Sequence, residues 1–459
     1  MKERSHATKR LILLSIVITS FINPFLGAAI NIALPAISAE FSLGAVGMSW
    51  VSMAFLLSSA VFLVPLGKLA DIRGRKRIFF IGNLIIAASS ILCALSPSGT
   101  LLIAFRVIQG IGSAMVFGTG IAIITSVYPP GERGKAIGIT VTSVYIGLSL
   151  APFLGGMLTQ YLGWRSIFYA TIPFELMVLW IIWRYIKEEW ADARGEKFDW
   201  PGSIIYLFSM SAFMFGFSKL PETSAIILAA AGLFGLVGFV VLEMKVKFPV
   251  FNVRLLASNR LFAFSNLAAL INYATTFAIT FLLSLYLQFI LGLSPRDAGM
   301  ILITQPVLMA IVASISGKLS DRYDPRILAS AGMGIISGGL IMLSFLTADS
   351  SLSYLVVILA IVGFGFGMFS SPNTNAIMGS VDKKYLGIAS ATVGTMRLTG
   401  QMMSMGIATL ILQLFIGNSP ISLQNSAEFL ASMRTTFVVF VVLCIVGLFA
   451  SLARGKSNR

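Results

Sequence analysis

GKLADIRGR, residues 67–75, follows one long apolar run, and GKLSDR, residues 317–322, follows another run 250 positions later. Each copy lies between two apolar stretches that are long enough to cross a bilayer. A basic, glycine-containing loop with a fixed Asp, found once in each half of a chain, is typical of a membrane protein built from two related helix bundles. The repeat therefore predicts the architecture, the orientation in the membrane and a gate.

The composition indicates that most of this chain lies in a lipid bilayer. Apolar residues make up 57% of the 459 residues and charged residues only 11%, whereas about a quarter of a soluble domain is charged. The sequence therefore predicts an all-α polytopic membrane protein without a large soluble domain.

Fourteen apolar spans are each long enough to be a transmembrane helix, which needs about 20 residues. The first runs too far, to about Pro35, for a cleaved signal peptide, so an uncleaved first helix is expected. The predicted spans are 11–36, 48–67, 78–96, 101–127, 136–160, 167–186, 201–218, 224–243, 262–290, 297–316, 327–347, 354–377, 386–416 and 434–453.

The basic residues orient these spans. With the N-terminus inside, 27 of the 33 Lys and Arg residues fall on the inner side and four on the outer side. This asymmetry follows the positive-inside rule and explains the net charge of +15 as topology, with anionic membrane lipid rather than nucleic acid as the partner. We expect a multi-pass protein of the cell membrane with both termini cytoplasmic, together with the segments 68–77, 187–199 and 317–326.

The internal repeat also divides the chain. GIG at residues 110–112 matches GFG at residues 363–365, at an offset of 253. This offset exceeds the length of a six-helix half by about 75 residues, which the spans 201–218 and 224–243 fill. The predicted organisation is a six-helix bundle at 1–186, two inserted helices at 187–261 and a second six-helix bundle at 262–459.

Five motifs in order carry a family resemblance across nearly the whole chain. They are NIALP at 31–35, GKLADIRGRKR at 67–77, LIAFRVIQGIG at 102–112, GLSLAPFLGG at 147–156 with Ala151 in place of a usual Gly, and GWRSIF at 163–168. With these motifs the chain resembles the major facilitator superfamily, and with fourteen spans its fourteen-helix drug:proton antiporter family.

The resemblance implies the major facilitator fold and a secondary active transporter that works by alternating access. It also implies proton-coupled efflux of small hydrophobic or amphiphilic compounds, with the proton as a coupling partner. One position departs from the family pattern: Leu26 stands where the family usually carries an Asp, five residues before Asn31. Proton coupling is therefore in question at that position.

The repeated loop is the predicted gate. Asp71, with Gly67, Gly74 and Arg75, can accept bonds from basic residues or cap a helix, and so latch the two halves in one state. Asp321 is the second copy, although its loop departs from the pattern at 324–325. The alternative is that these loops only anchor the topology.

Three charged residues inside spans are candidates for proton or substrate coupling, because an intramembrane charge should face a cavity or a partner. They are Arg106, Glu175 and Arg397. The resemblance supports Arg106. For each of them, a locally satisfied buried side chain is the alternative.

Polar and small residues supply the remaining candidates. Those expected to line the cavity are Asn31, Gln109, Gln305 and Asn373. Glycines and a proline in the fifth span permit close approach and bending, so they form either a hinge or ordinary tight packing. The hinge candidates are Gly147, Pro152, Gly155 and Gly156.

The sequence gives little support to an enzyme. The sole histidine, His6, lies in the N-terminal tail, no paired acids lie within the spans, and no GxxxxGK[ST] loop is present. We therefore expect no catalytic residues, metal site or cofactor. Two rivals to multidrug efflux stay open: a carrier of lipid or anionic amphiphiles on the same fold, and a non-transporting membrane receptor.

Overall fold

The computed structural model describes residues 6–320, 322–381, 386–417 and 419–455. In these ranges the protein is built from α-helices, with one π-helical turn and one short 3-10 turn. Fourteen helices are long and apolar enough to cross a membrane, which confirms the predicted number of spans. We number the spanning helices α1 to α14.

The first six spanning helices make up the first half of the fold. α6 is broken near Ala170, where a short first segment meets a longer second one. Their bounds are α1 His6–Phe41, α2 Ala45–Arg73, α3 Arg75–Ala94, α4 Gly99–Val127, α5 Pro130–Leu162, and α6 Ser166–Tyr169 with Ile172–Tyr185.

The remaining helices comprise an inserted pair and the second half. A short helix, Val253–Ser258, precedes the second half. The bounds are α7 Trp200–Ser218, α8 Thr223–Glu243, α9 Arg260–Leu285 continued by the π-helical turn Tyr286–Ile290, α10 Pro295–Leu302 with Thr304–Leu319, α11 Pro325–Leu343, α12 Leu352–Gly379, α13 Leu386–Ile416 and α14 Ser426–Ala453.

The two halves repeat one helix pairing. α1 packs on α5, and both α2 and α3 pack on α4; in the second half α9 packs on α13, and both α10 and α11 pack on α12. Glycines make the same close crossing in each half: a Cβ at Gly112 would lie 2.8 Å from the Gly82 carbonyl oxygen, and one at Gly332 would lie 2.6 Å from that of Gly365. Only glycine permits this approach of two helix backbones.

The halves meet along two seams, α2 against α13 and α5 against α10. The inserted helices α7 and α8 pack mainly on each other. They reach the first seam through the Tyr206 hydroxyl, which donates to the Ala60 carbonyl at 3.3 Å, and through Phe217, which packs near Gly406. We call the end at which α1 begins and α14 ends the inner end, and the opposite end the outer end.

The predicted gate loop is largely helical, which corrects one expectation. Residues 67–73 continue α2, and Gly74 alone joins α2 to α3. Its φ of 120° is a conformation open mainly to glycine. Charged side chains do not end a helix that has left the hydrocarbon layer, so the end of the apolar run did not mark the end of α2.

Candidate transport site and gate

The gate residues of the first half are joined by a charged network. The Arg75 guanidinium donates from Nε to Asp71 Oδ1 at 2.7 Å and from Nη1 to Ser126 Oγ at 2.7 Å. It also pairs with Asp192 Oδ2 at 2.7 Å. Arg75 therefore ties the inner ends of α2, α3 and α4 to the connection between α6 and α7. Sequence reasoning missed Asp192, which lies in a segment noted only for its basic residues.

Gly67 serves a different purpose from its neighbours. It lies against Gly118 of α4, so the two helices approach closely at this point. Asp321, the predicted second copy of Asp71, lies outside the described residues.

Arg454 occupies the inner end of the second half. Its guanidinium donates to Asn373 Oδ1 at 2.8 Å, to the Pro325 carbonyl at 2.7 Å and to Ser265 Oγ at 3.3 Å. Burial lowers the pKa of Arg454 to about 10. Asn373, a predicted cavity residue, is part of this cluster. Sequence reasoning counted Arg454 among the inner basic residues that orient the protein. Only the folded structure shows that its side chain is buried.

Arg106 and Gln109 lie inside the first half. Arg106 is fully buried and donates to the Val51 carbonyl at 3.1 Å and to Gln109 Oε1 at 2.6 Å. Gln109 in turn donates to Ser90 Oγ at 2.8 Å, and the guanidinium stacks 4.4 Å from the centre of the Phe55 ring. These contacts connect α2, α3 and α4, so they support an interhelical bonding role.

Asn31 lies where the halves meet in the outer part of the bundle. Its side-chain oxygen accepts from Ser52 Oγ at 2.6 Å, and its carbonyl accepts from Ser284 Oγ of α9 at 2.8 Å. Next to it, Gln288 Nε2 donates to the Ile32 carbonyl at 3.0 Å. These bonds close the outer end between α1 and α9.

Gln305 also lies away from the gate. It is nearly buried in α10, where its carbonyl packs against Gly363 of α12.

A cavity of about 90 Å³ is lined by α1, α3, α4 and α5 of the first half and by one residue of the second half. Arg397 of α13 reaches it and stacks 4.8 Å from the centre of the Phe117 ring of α4. The amide oxygen of Asn23 is buried there without a hydrogen-bond partner among the described residues. The lining residues are Ile16, Thr19, Ser20, Asn23, Phe79, Val116, Phe117, Gly120, Ile121, Thr140, Val141, Val144, Tyr145 and Arg397.

Hydroxyl groups join the halves beside this cavity. The Tyr145 hydroxyl and Ser370 Oγ are hydrogen-bonded across the two halves, and Ser149 Oγ donates to the Pro306 carbonyl at 3.0 Å. No acid among the described residues forms an ion pair with Arg397. Sequence reasoning missed Asn23 and Tyr145, because periodicity does not show which polar face of a spanning helix points inward.

Glu175 is fully buried in α6, which packs on α1 and α3. Neither carboxyl oxygen has a hydrogen-bond partner in the described part of the chain. Burying a carboxylate without a partner is costly. The site is therefore better suited to exchanging a proton than to a permanent ion pair.

The hinge candidates of α5 face two different helices. Gly147 packs on the Phe21 carbonyl and Gly155 on Ala29, so both belong to the contact with α1. Gly156 packs on the Pro295 carbonyl, and Gly299 of α10 packs on the Pro152 carbonyl. Gly156 and Pro152 thus belong to the contact between the halves.

A family model described as Major Facilitator Superfamily matches residues 16–258 and 266–458. The chain is 30% identical to the riboflavin transporter RibZ of Clostridioides difficile (strain 630), over 96% of each chain. It is 30% identical to multidrug resistance protein Stp of Mycobacterium tuberculosis, covering 83% of this chain and 72% of that one. It is 29% identical to multidrug resistance protein 3 of Bacillus subtilis, covering 78% and 70%.

The fold is similar to that of a solved transporter. A bacterial homolog of the human lysosomal transporter Spinster, crystallised in an inward-facing and unoccupied conformation, superposes with a TM-score of 0.68. The identity is 19%, and the match covers 98% of both chains.

Proposed function

The chain belongs to the Major Facilitator Superfamily, whose members are transporters and not enzymes, and on this premise we propose that it exports hydrophobic or amphiphilic compounds in exchange for protons. The two halves would rock against each other and expose a central site to each side of the membrane in turn. Relatives named as multidrug resistance proteins support this substrate class.

The contacts between the halves support alternating access. Hydrogen bonds from Ser284 and Gln288 to α1 close the outer part, and Arg296 Nη1 donates to the Tyr161 hydroxyl at 3.1 Å. At the inner end, the described partners of the Arg75 and Asp71 side chains belong to the first half and its connection to α7. This arrangement fits a state that receives substrate from the inner side.

The observation that carries the substrate proposal is Arg397, which reaches a small cavity of the first half without an acidic partner in the described residues. A cation held in a space of low dielectric repels other cations and attracts anions. Phe117 and Tyr145 add aromatic surface to the same space. The charge beside this space therefore favours neutral and anionic aromatic amphiphiles over lipophilic cations.

One buried acid could carry the proton, but the position at which the family usually has an Asp holds a leucine. Leu26 is completely buried and cannot exchange a proton. Glu175 is the acid that lies within a span with both oxygens unpartnered among the described residues. We assign proton coupling to Glu175, with Asp71 as the group that opens and closes the gate.

Flux through the purified protein in proteoliposomes tests this function. A pH gradient should drive movement of neutral and anionic aromatic amphiphiles, move monovalent lipophilic cations less, and leave dications almost unmoved. Flux that ignores the pH gradient would refute proton coupling. Efficient movement of dications would refute the charge argument.

A second candidate is transport of riboflavin or a similar planar heteroaromatic compound. It is favoured by 30% identity to a riboflavin transporter over 96% of both chains. A flat ring could stack on Phe117 beside Arg397, and Asn23 offers an unused acceptor. Radiolabelled riboflavin uptake, with efflux substrates as competitors, distinguishes the two candidates.

A lipid carrier has its own supporting feature. An apolar groove of about 610 Å³ lies between α1, α5 and α6, with Lys135 near the inner end. An acyl chain would fit the groove, and Lys135 would attract an anionic headgroup. Movement of fluorescent phospholipid between leaflets, in the same proteoliposomes, tests this rival.

A further inference from the structure

The connection between α6 and α7, residues 186–199, lies across the gate, and we call this connection the linker. Two main-chain hydrogen bonds fix it: Arg75 N donates to the Trp190 carbonyl at 2.8 Å, and Ala193 N donates to the Asp71 carbonyl at 3.0 Å. One bond lies on each side of Gly74, where α2 gives way to α3. The linker is therefore aligned to the gate by its backbone.

Glu189 of the linker caps α3. Its Oε1 accepts from Lys76 N at 2.8 Å and its Oε2 from Arg77 N at 3.2 Å. A helix N-terminus leaves such N–H groups without partners and favours a negative charge. A Cβ at Gly74 would collide with the Glu189 carboxyl group. The glycine of the gate motif thus makes room for an acid of the linker, 115 residues away in sequence.

Two further linker acids bind the basic residues of the gate. Asp192 pairs with Arg75 at 2.7 Å, and Glu196 pairs with Lys68 at 2.6 Å. The Arg75 side chain is 9% exposed and lies between Asp71 and Asp192. The linker therefore supplies an anion to Lys68, to Arg75 and to the start of α3.

The linker also reaches the inserted helices. Three residues after Glu196, the Asp199 side chain caps α7 by accepting from Gly202 N at 3.0 Å. A displacement of the gate relative to the linker would therefore act on α7 and α8. The two inserted helices are tied to the gate through a short chain segment, although they pack at the edge of the bundle.

In the proposed alternating access, the inner end closes when the gate meets the second half, and Asp71 and Arg75 would then exchange their linker partners for partners in the second half. We propose that Glu189, Asp192 and Glu196 are positioning residues, which hold the gate in the arrangement that leaves the inner end open. This inference rests on the alternating access of the proposed function. The linker thereby sets the balance between the two states of the transporter.

A distance measurement on the full chain tests the proposal. Spin labels at Gly134→Cys and Gly379→Cys report the separation of the halves, because both glycines are exposed at the inner end with open space around them. The native Cys93 and Cys444 are buried. In the Glu189→Gln/Asp192→Asn variant, the population with the short distance should rise about threefold to tenfold. Glu222→Gln, an exposed acid at the other end of the inserted pair, should change nothing.

Exchanging the charges of Lys68 and Glu196 distinguishes a role in positioning the gate from a role in folding alone. Lys68→Glu should shift the distance distribution, and Lys68→Glu/Glu196→Lys should restore it. Unchanged distances in the folded Glu189→Gln/Asp192→Asn variant would overturn the proposal, as would failure of the exchange to restore them. Because the measurement needs no substrate, a failure to detect efflux would refute the proposed function without deciding this inference.

Discussion

At the scale of single residues, Arg454 joins three other helices of the second half at the inner end. Its bonds reach α9, α11 and α12 from the end of α14. Arg454→Met should destabilise the folded protein by about 2–3 kcal/mol, because Asn373 and the Pro325 carbonyl lose a charged donor. Arg454→Lys should recover only part of this, because lysine cannot span three acceptors.

Thermal unfolding in detergent measures this effect. Lys456→Met, which removes a basic residue two positions along the chain, is the control and should leave the unfolding midpoint unchanged. An Arg454→Met protein as stable as the wild type would show that the cluster contributes little.

Glu175 carries a prediction about coupling. Glu175→Gln keeps the size of the side chain but removes its ability to exchange a proton. Flux driven by a pH gradient should disappear, whereas substrate binding should persist. Flux and equilibrium binding, measured on the same preparation, check the two halves of this statement. Unchanged gradient-driven flux would show that Glu175 does not carry the proton, and would assign coupling to Asp71 or to an ion other than the proton.

The burial of Arg106 could be predicted from the sequence, but its hydrogen-bond partners could not. Arg106 stands in an apolar run, so its burial could be predicted, and it is fully buried. Its partner Val51 lies 55 positions away, and only tertiary packing brings the two together. Arg454 stands just past an apolar run, where most basic residues face water, so sequence position gave no sign of its burial.

At the scale of helices, α5 and α10 share a contact that predicts how transport can be blocked. Gly156 and Gly299 each face a carbonyl of the other helix. Gly156→Ala should overpack this contact by about 1–3 kcal/mol, disfavour the state closed at the outer end and lower flux about tenfold. Gly138→Ala is the matched control, because a Cβ added at Gly138 in the same helix would have no atom of another residue within 4 Å.

Initial rates in proteoliposomes measure the comparison. Equal loss in both variants would place the effect in α5 itself rather than in its contact with α10.

Helix existence followed from the sequence, whereas helix ends and breaks did not. The inserted span predicted at 201–218 is the helix Trp200–Ser218. In contrast, α1 runs from His6 to Phe41, beyond the predicted 11–36, because a helix continues past the hydrocarbon layer when no residue stops it. The break in α10 at Ile303 lies one turn before Pro306, which has no N–H to donate to the Leu302 carbonyl. The prediction of one continuous span at 297–316 did not take this proline into account.

At the scale of the whole molecule, orientation is set by the basic residues and has a direct test. In intact cells, an impermeant maleimide should label Glu222→Cys and spare Lys197→Cys, because the positive-inside rule keeps the basic linker in the cytoplasm. Both positions are exposed, and permeabilised cells should label both. Ready labelling of Lys197→Cys in intact cells would reverse the topology.

The cavity beside Arg397 could not be predicted from the sequence, although the two halves could be proposed from their repeat. Asn31, Gln109, Gln305 and Asn373 do not line the small cavity beside Arg397, and their place in the substrate path stays a prediction. Each satisfies a contact between helices, which hydropathy cannot distinguish from a position facing a substrate. The cavity depends on how α1, α4, α5 and α13 are rotated about their axes, and packing sets these rotations.

The charge of this cavity predicts the selectivity of the whole transporter. Arg397→Gln removes the cation while keeping a polar side chain, so anionic amphiphiles should lose about tenfold in relative flux while neutral compounds lose little. Arg434→Gln, near the outer end of α14, is the matched control and should not alter the ratio. Competition between an anionic and a neutral fluorescent substrate gives the ratio directly. If both variants change the ratio equally, the overall charge of the protein rather than the cavity governs selectivity. That result would favour multidrug efflux without a preference set by Arg397.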